Sequence, residues 1–241
     1  MDTIKINRQS AKMVAHRGVS GLERENTASA FVAAGNRSYF GIETDVRRTI
    51  DGKFVLMHDG HTERTSVGNV RVEVESATYD ELRAVTFKDK GSEVGRSDLH
   101  VALLEDYISI CKKYEKVAVL ELKKAFDEQD ITEICKLIDG MGYLESTHFI
   151  TFYPEYIDWV RAYRPDQTIS LLLKDFDESW VDRLEREKIG LDIYYKSLTR
   201  ELTAALKAKG IYLNCWTVDD PESAEELISW GVDMITTNIL E

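Results

Sequence analysis

From Leu103 to the end, the chain repeats one unit: a short apolar run, then a stretch whose apolar residues recur with helical spacing. The spacing predicts helices near residues 104–114 and 131–140, from Pro154 to about 163, and near 179–188, 200–209 and 221–230. Between them lie apolar runs at residues 117–122, 148–152, 169–173, 191–194 (weaker), 211–216 and 232–236. Pro154 and Pro221 suit first helical positions, Asp220 suits a cap, and Gly210 and Gly231 suit helix ends. Apolar strands that alternate with helices imply a parallel sheet covered on both faces. Two earlier strands, at Met13 and at Gly41, bring the count to eight. Eight such units in 241 residues imply a closed TIM (β/α)8 barrel in one domain. An open doubly wound sheet is the competing arrangement, but no glycine-rich nucleotide loop follows the first strand.

The first hundred residues are less regular. Met13-Val14-Ala15 leads into His16-Arg17-Gly18 and a loop with Gly21. Asn26 is the expected cap of a helix carrying Ala28, Phe31, Val32 and Ala33. Asp51-Gly52 makes a tight turn, and residues 54–58 are read as a continuation after the second strand. Residues from about 60 to 100 are polar and broken by Gly68-Asn69, Gly91 and Gly95, with one short helix expected near 79–84. This stretch is expected to be a small insertion over the strand ends.

Gly41-Ile42-Glu43-Thr44-Asp45-Val46 is the strand that carries chemistry. Alternation puts Ile42, Thr44 and Val46 on one face and Glu43 and Asp45 on the other. Two adjacent carboxylates on a covered face are costly unless a cation lies between them. Oxygen ligands of this kind suit Mg²⁺, Ca²⁺ or Mn²⁺ rather than Zn²⁺. The same strand reads equally as an edge strand with a solvated face. What distinguishes the two is company: His16-Arg17-Gly18, Met57-His58-Asp59 and Glu121-Leu122-Lys123 each stand at or just past the end of an apolar run. In a barrel these ends share one mouth, where the chemistry belongs. Two histidines, three acids, an arginine and a lysine together suit metal-assisted phosphoryl chemistry.

Charge narrows the partners. The net charge of −12 argues against nucleic acid or an anionic membrane as the binding surface. An anionic substrate stays compatible with it, because screening over about 8 Å lets a local cation cluster dominate a cleft. Cys111, Cys135 and Cys215 are odd in number and widely spaced, so they form neither a disulfide framework nor a metal motif, and a reducing compartment is expected. Residues 1–12 are polar, without the apolar centre of a signal peptide, and no run approaches a membrane span. A cytoplasmic protein without stable membrane insertion is expected; its oligomeric state, monomer or homodimer, stays open.

His16-Arg17-Gly18, Glu25-Asn26-Thr27, Glu43-x-Asp45-Val46, Asp51-Gly52, Val55-x-x-His58-Asp59 and Glu121-x-Lys123, in this order and spacing, resemble the glycerophosphodiester phosphodiesterase family. Trp216-Thr217-Val218 and Gly231-Val232-Asp233-x-Ile235-Thr236-Thr237 resemble its closing strands, so the similarity runs from Met13 to Asn238. The resemblance implies a TIM barrel with an insertion after His58. It implies hydrolysis of small-molecule glycerophosphodiesters to glycerol phosphate and an alcohol. It further implies one divalent metal ion on Glu43, Asp45 and Glu121, with His16 and His58 as the acid/base pair. Three positions depart from the family pattern: Arg24 and Asn238 replace the usual Pro and Asp, and Val101-Ala102-Leu103-Leu104-Glu105 lacks a usual Pro. They bear on substrate preference.

Further roles follow. Arg17 and Lys123 are expected to grip the phosphate, and Trp216 to line the alcohol pocket or pack in the core, as is Phe152. Lys124 and Arg47 are read as surface charge facing away, and His61, His100 and His148 as structural. Asp59 is kept outside the catalytic set, and Glu25 and Asn26 are read as shaping the first loop. The alternatives are a same-fold phosphodiesterase acting on lysophospholipids or another phosphodiester, and a non-catalytic phosphate-binding barrel. The polar insertion favours soluble substrates over lipid.

Overall fold

The computed structural model describes residues 2–241; Met1 of the polar N-terminal stretch lies outside them. In chain order the elements are β1 (Lys12–Ala15), α1 (Ala28–Gly35), β2 (Gly41–Arg48), β3 (Phe54–Leu56), α2 (Tyr79–Arg83), β4 (Ala102–Leu103) and α3 (Leu104–Lys113). They continue with β5 (Val117–Leu122), α4 (Glu128–Gly140), β6 (Thr147–Thr151), α5 (Pro154–Tyr163), β7 (Ile169–Leu173) and α6 (Val181–Glu187). The chain closes with β8 (Gly190–Tyr194), α7 (Arg200–Ala208), β9 (Leu213–Trp216), α8 (Pro221–Trp230) and β10 (Met234–Thr237). β1, β2, β5, β6, β7, β8, β9 and β10 pair in parallel in that order, and β10 returns to β1. The sheet is a closed barrel of eight parallel strands with helices between them.

Residues 54–58 do not continue the second strand. The turn at Asp51-Gly52, where Gly52 has φ +79°, reverses the chain, and β3 runs antiparallel to the end of β2 and to β4. His58 is thereby folded back over the barrel mouth. Residues 60–99 carry their own small core, in which Val74, Leu82, Phe87 and Leu99 pack under Val55 and Met57. The capping box of Thr78 and Glu81 starts α2. The helix α1 begins one residue later than expected. Thr27 is its cap, accepting from the Ala30 amide, because Asn26 sits in the left-handed region with φ +55° and sends its side chain elsewhere.

Alternation along the strands decides what each side chain meets. Ile42, Thr44 and Val46 face the helices and are fully buried; Ile42 and Val46 pack in the layer with Phe31, Leu104 and Tyr107. Glu43 and Asp45 point into the barrel. Inward side chains of alternate strands stack in layers of four. Glu43, Ile150, Asp192 and Thr236 form one layer, and His16, Glu121, Leu172 and Trp216 form the next toward the carboxyl ends; all eight line one cavity. Beneath them Val14, Val119 and Met234 plug the barrel. Among the described residues no helix is long and apolar enough to cross a membrane.

Candidate active site

The mouth of the barrel holds a cavity of about 180 Å³ lined by His16, Arg17, Glu43, His58, Glu121, Lys123, Asp192 and Trp216, among others. Its acidic wall comes from two neighbouring strands: in the β2–β5 register Asp45 lies opposite Glu121, with Glu43 two residues below Asp45. One oxygen from each of Glu43, Asp45 and Glu121 lies within 4.8 Å of the other two. All three side chains are buried, and Asp45 Oδ1 has no hydrogen-bond partner. The solvated edge-strand alternative therefore does not hold for β2. Three clustered oxygen donors, one of them an orphan, fit a hard divalent cation.

The electrostatics are those of a crowded acid cluster. Burial, then the charge of Asp45, pushes Glu43 well above the usual carboxylate range. The same two causes push Glu121 up to about 7. Burial also works to raise Asp45, but Arg17 and Lys123 outweigh it and hold Asp45 below the usual range. Arg17 Nε lies 3.4 Å from Asp45 Oδ2, and its backbone N–H donates to Glu43 Oε2 at 2.8 Å. Lys123 Nζ donates to Glu121 Oε1 at 2.7 Å and lies 3.4 Å from Asp45 Oδ1.

The first loop is shaped to make these contacts. Arg17 adopts φ +54° and Asn26 φ +55°, a region that non-glycine residues occupy at a cost. Gly18, at φ +73°, lets the loop lie on α1: a Cβ there would stand 2.6 Å from the Ala30 carbonyl carbon. Asn26 then donates from Nδ2 to Asp45 Oδ2 at 2.9 Å and accepts from the Thr44 hydroxyl. Glu25 accepts from Arg17 and, through both oxygens, from Arg64.

The two histidines have different partners. His16 Nδ1 lies 2.7 Å from Asn238 Oδ1, while Nε2 points toward Glu43 at 3.9 Å. Asn238 in turn donates from Nδ2 to Asp219 at 2.6 Å. Burial, with Arg17 beside it, lowers His16 to about 4. His58 Nδ1 lies 2.8 Å from Asp59 Oδ1, and Arg64 donates to the other Asp59 oxygen. Burial also lowers His58, with Asp45 and Asp59 acting against it.

Every residue singled out from sequence thus reaches one mouth: His16, His58, Glu43, Asp45, Glu121, Arg17, Lys123 and Trp216. Trp216 stands on the far wall, edge-on to Phe152 and tilted against Tyr194. Phe152 is 40% exposed at the rim rather than packed in the core. Arg47 is not surface charge. It shares the parity of Glu43 and Asp45, is largely buried, and donates to the Met57 and His58 carbonyls and to Glu75, so it pins the segment bearing His58. Lys124 is exposed. Asp59, Asn26 and Glu25, expected beside His58 and in the first loop, belong to the same mouth with contacts the sequence did not specify, and Asn238 and Asp192 join them without having been placed there from sequence. Adjacency to His58 was the available signal for Asp59; the departure at Asn238 pointed to substrate rather than to its contact with His16.

Fold and mouth together define the class, a (β/α)8 hydrolase of phosphoric diesters. The chain belongs to the glycerophosphoryl diester phosphodiesterase family, whose sequence profile matches residues 16–241. It is 29% identical over 231 residues to the glycerophosphodiester phosphodiesterase of Caldanaerobacter subterraneus subsp. tengcongensis, a match covering 94% of this chain and 93% of that protein. Its structure resembles a glycerophosphodiester phosphodiesterase from Parabacteroides distasonis, with TM-score 0.75 and 26% identity over 99% of this chain and 94% of that one. It also resembles an Oleispira antarctica phosphodiesterase solved in complex with the product sn-glycerol-3-phosphate, with TM-score 0.82 and 23% identity over 97% and 95%.

Proposed function

We propose that this protein hydrolyses glycerophosphodiesters to glycerol 3-phosphate and an alcohol, with one divalent metal ion on Glu43, Asp45 and Glu121. The observation that carries the reading is the convergence of this triad with His16, His58, Arg17 and Lys123 around one cavity. A bound Mg²⁺, Ca²⁺ or Mn²⁺ supplies Lewis-acid polarisation of a phosphoryl oxygen. Arg17 and Lys123 flank the same wall and hold the phosphate's remaining charge.

The partners of the histidines divide the proton work between them. Asp219 takes the amide hydrogens of Asn238, so Asn238 Oδ1 faces His16 and accepts from Nδ1–H. His16 is then neutral with its Nε2 lone pair toward the cavity, the state of a general base. His58 is backed by the Asp59 carboxylate, which stabilises an imidazolium, so Nε2–H can be given to the leaving alkoxide. In the first step His16 removes a proton from an attacking hydroxyl, that of the neighbouring glycerol carbon. The oxygen bonds to phosphorus, the P–O bond to the head group breaks, and His58 protonates the departing alcohol. Water then opens the cyclic phosphate with the roles reversed. Rapid-quench ³¹P spectroscopy that finds no cyclic species, even transiently, would replace this two-step course with direct attack by water.

The test of the activity is release of glycerol phosphate from glycerophosphocholine and glycerophosphoethanolamine with Mg²⁺, Ca²⁺, Mn²⁺ or chelator. Turnover that requires metal and is lost in His16→Ala is expected. Folded wild-type protein that turns over neither substrate with any of the metals would overturn the reading.

A further inference from the structure

Across the cavity from the carboxylate triad stands an acid that this chemistry does not use. Asp192 on β8 lies in the same layer as Glu43 on β2. β5, β6 and β7 separate the two strands on one side and β9, β10 and β1 on the other, so the two side chains face each other over the cavity floor. Asp192 is 1% exposed, and its Oδ1 has no hydrogen-bond partner. Ile150, Leu172, Trp216 and Thr236 line the cavity with it, and Asn214 and Glu121 act on its carboxyl. Burial pushes the carboxyl up to about 8, and the Asn214 amide is the neighbour that favours its ionised form. A buried polar atom left without a partner costs about 1–3 kcal/mol. Leu or Val would fit such walls better, so the acid makes sense when its partner arrives with the ligand.

We propose that Asp192 is a specificity-determining residue that hydrogen-bonds a hydroxyl of the substrate's glycerol end. It does so on the cavity floor, while the phosphate lies between it and the carboxylate triad. The proposal rests on the phosphodiesterase reading and assigns which end of the diester enters deepest. The floor favours a polyol over a cationic head group. Phe152 and Tyr194 lie farther along their strands than this layer, toward the rim, so no aromatic cage closes around Asp192. A neutral carboxyl both donates to and accepts from a hydroxyl, whereas a cation needs it ionised in an apolar surround. The head group is then left at the rim, where Phe152 is exposed.

The experiment compares kcat/KM for glycerophosphocholine with that for its analogue lacking only the terminal glycerol hydroxyl, which keeps the hydroxyl that attacks phosphorus, in wild type, Asp192→Ala and Asp192→Asn. Wild type is expected to favour the full diol by roughly 5- to 150-fold. Asp192→Ala should lose that preference, and Asp192→Asn, which still hydrogen-bonds, should recover part of it. No preference in wild type, or equal loss on all substrates in Asp192→Ala, overturns the proposal. So does a loss that follows head-group charge instead, seen by replacing choline with ethylene glycol. If wild type turns nothing over, the phosphodiesterase reading fails by itself. Calorimetric affinity for glycerol 3-phosphate against propyl phosphate then decides the role of Asp192: a preference lost in Asp192→Ala supports it, and equal wild-type affinities overturn it. Should Asp192→Ala not fold, the wild-type preference and Asp192→Asn carry the same decision.

Discussion

His16 and His148 stand at opposite ends of one barrel, and burial lowers both to about 4. By that measure they are alike. Their company is not. His148 points inward at the amino end of β6, where its Nε2 lies 2.7 Å from the Ser170 hydroxyl, and Lys12 is the charge that acts on it. Gly190 leaves room for the pair, since a Cβ there would stand 2.2 Å from Ser170 Oγ. His16 lies among Arg17, Glu43, Asp45 and Glu25, with an open cavity before its Nε2. A shifted histidine therefore marks a functional place only where unspent charge and an accessible ring nitrogen accompany it. At the bottom of the barrel the same shift records packing.

The sharpest way to break this comparison is to remove each ring. His16→Ala is expected to lower kcat by about 10²- to 10⁴-fold, the usual worth of a general acid or base. His148→Gln, which keeps a bond to Ser170, should leave kcat within about twofold. Comparable losses from both variants, measured on protein of equal thermal stability, would erase the functional distinction between the two ends.

Next in size is the triad. Glu43→Gln takes away one of three clustered carboxylates, so metal-dependent turnover should fall at least about 100-fold. The metal-free protein, relieved of repulsion among buried acids, should melt no lower than wild type. Titrating metal into wild type near pH 7 should release protons, because Glu121, pushed up to about 7, is partly protonated until a cation displaces its proton. Calorimetry in two buffers of different ionisation enthalpy measures that release. An enthalpy independent of buffer would show that the triad is ionised before the metal arrives.

The residues of the triad were readable because alternation along Gly41–Arg48 is strict and the ends of parallel strands converge. What stayed hidden came from elsewhere. The excursion of residues 60–99 reads as polar, yet its few apolar side chains close a small core beneath β3, because Val55 and Met57 present their far faces to it. Arg47 is read as surface charge although the alternation that turns Glu43 and Asp45 inward puts it on the same face; only the backbone carbonyls it bonds leave no pattern in sequence. Asn26 looked like a helix cap because the capping residue types are also those that tolerate a left-handed backbone. The layer partner of Glu43, Asp192, lies 149 positions further on. Only closure of the barrel places it opposite.

The bottom of the barrel has its own expected signature, smaller than the losses above. His148 titrates near 4 when folded and near 6.5 when unfolded, so the fold prefers the neutral ring. Its contribution is fully present above about pH 6.5 and is lost as pH falls toward 4, on the order of 3 kcal/mol in all. His148→Gln should flatten the slope of denaturant stability against pH in that window. An unchanged slope would mean that the ring is solvated when folded.

The smallest expected effect is the most informative about the mouth. Asn238 is the one neutral group directly behind either histidine, whereas His58 has a carboxylate there. Asn238→Asp would place a negative charge beside His16 Nδ1 and so raise the pKa of its ring. A base that titrates higher is protonated over more of the acid range, so the acid limb of kcat/KM should move up by about one pH unit while the plateau changes less than about tenfold. The alkaline limb, governed by His58, should stay in place. The new carboxylate also meets Asp219, which now accepts from the Asn238 amide at 2.6 Å, so a modest loss of stability should accompany the shift. If the alkaline limb moves instead, His16 is the acid and His58 the base, and the assignment drawn from their partners is reversed. If neither limb moves, Asn238 positions Ser20 and the closing loop, to which it also bonds, rather than the ring.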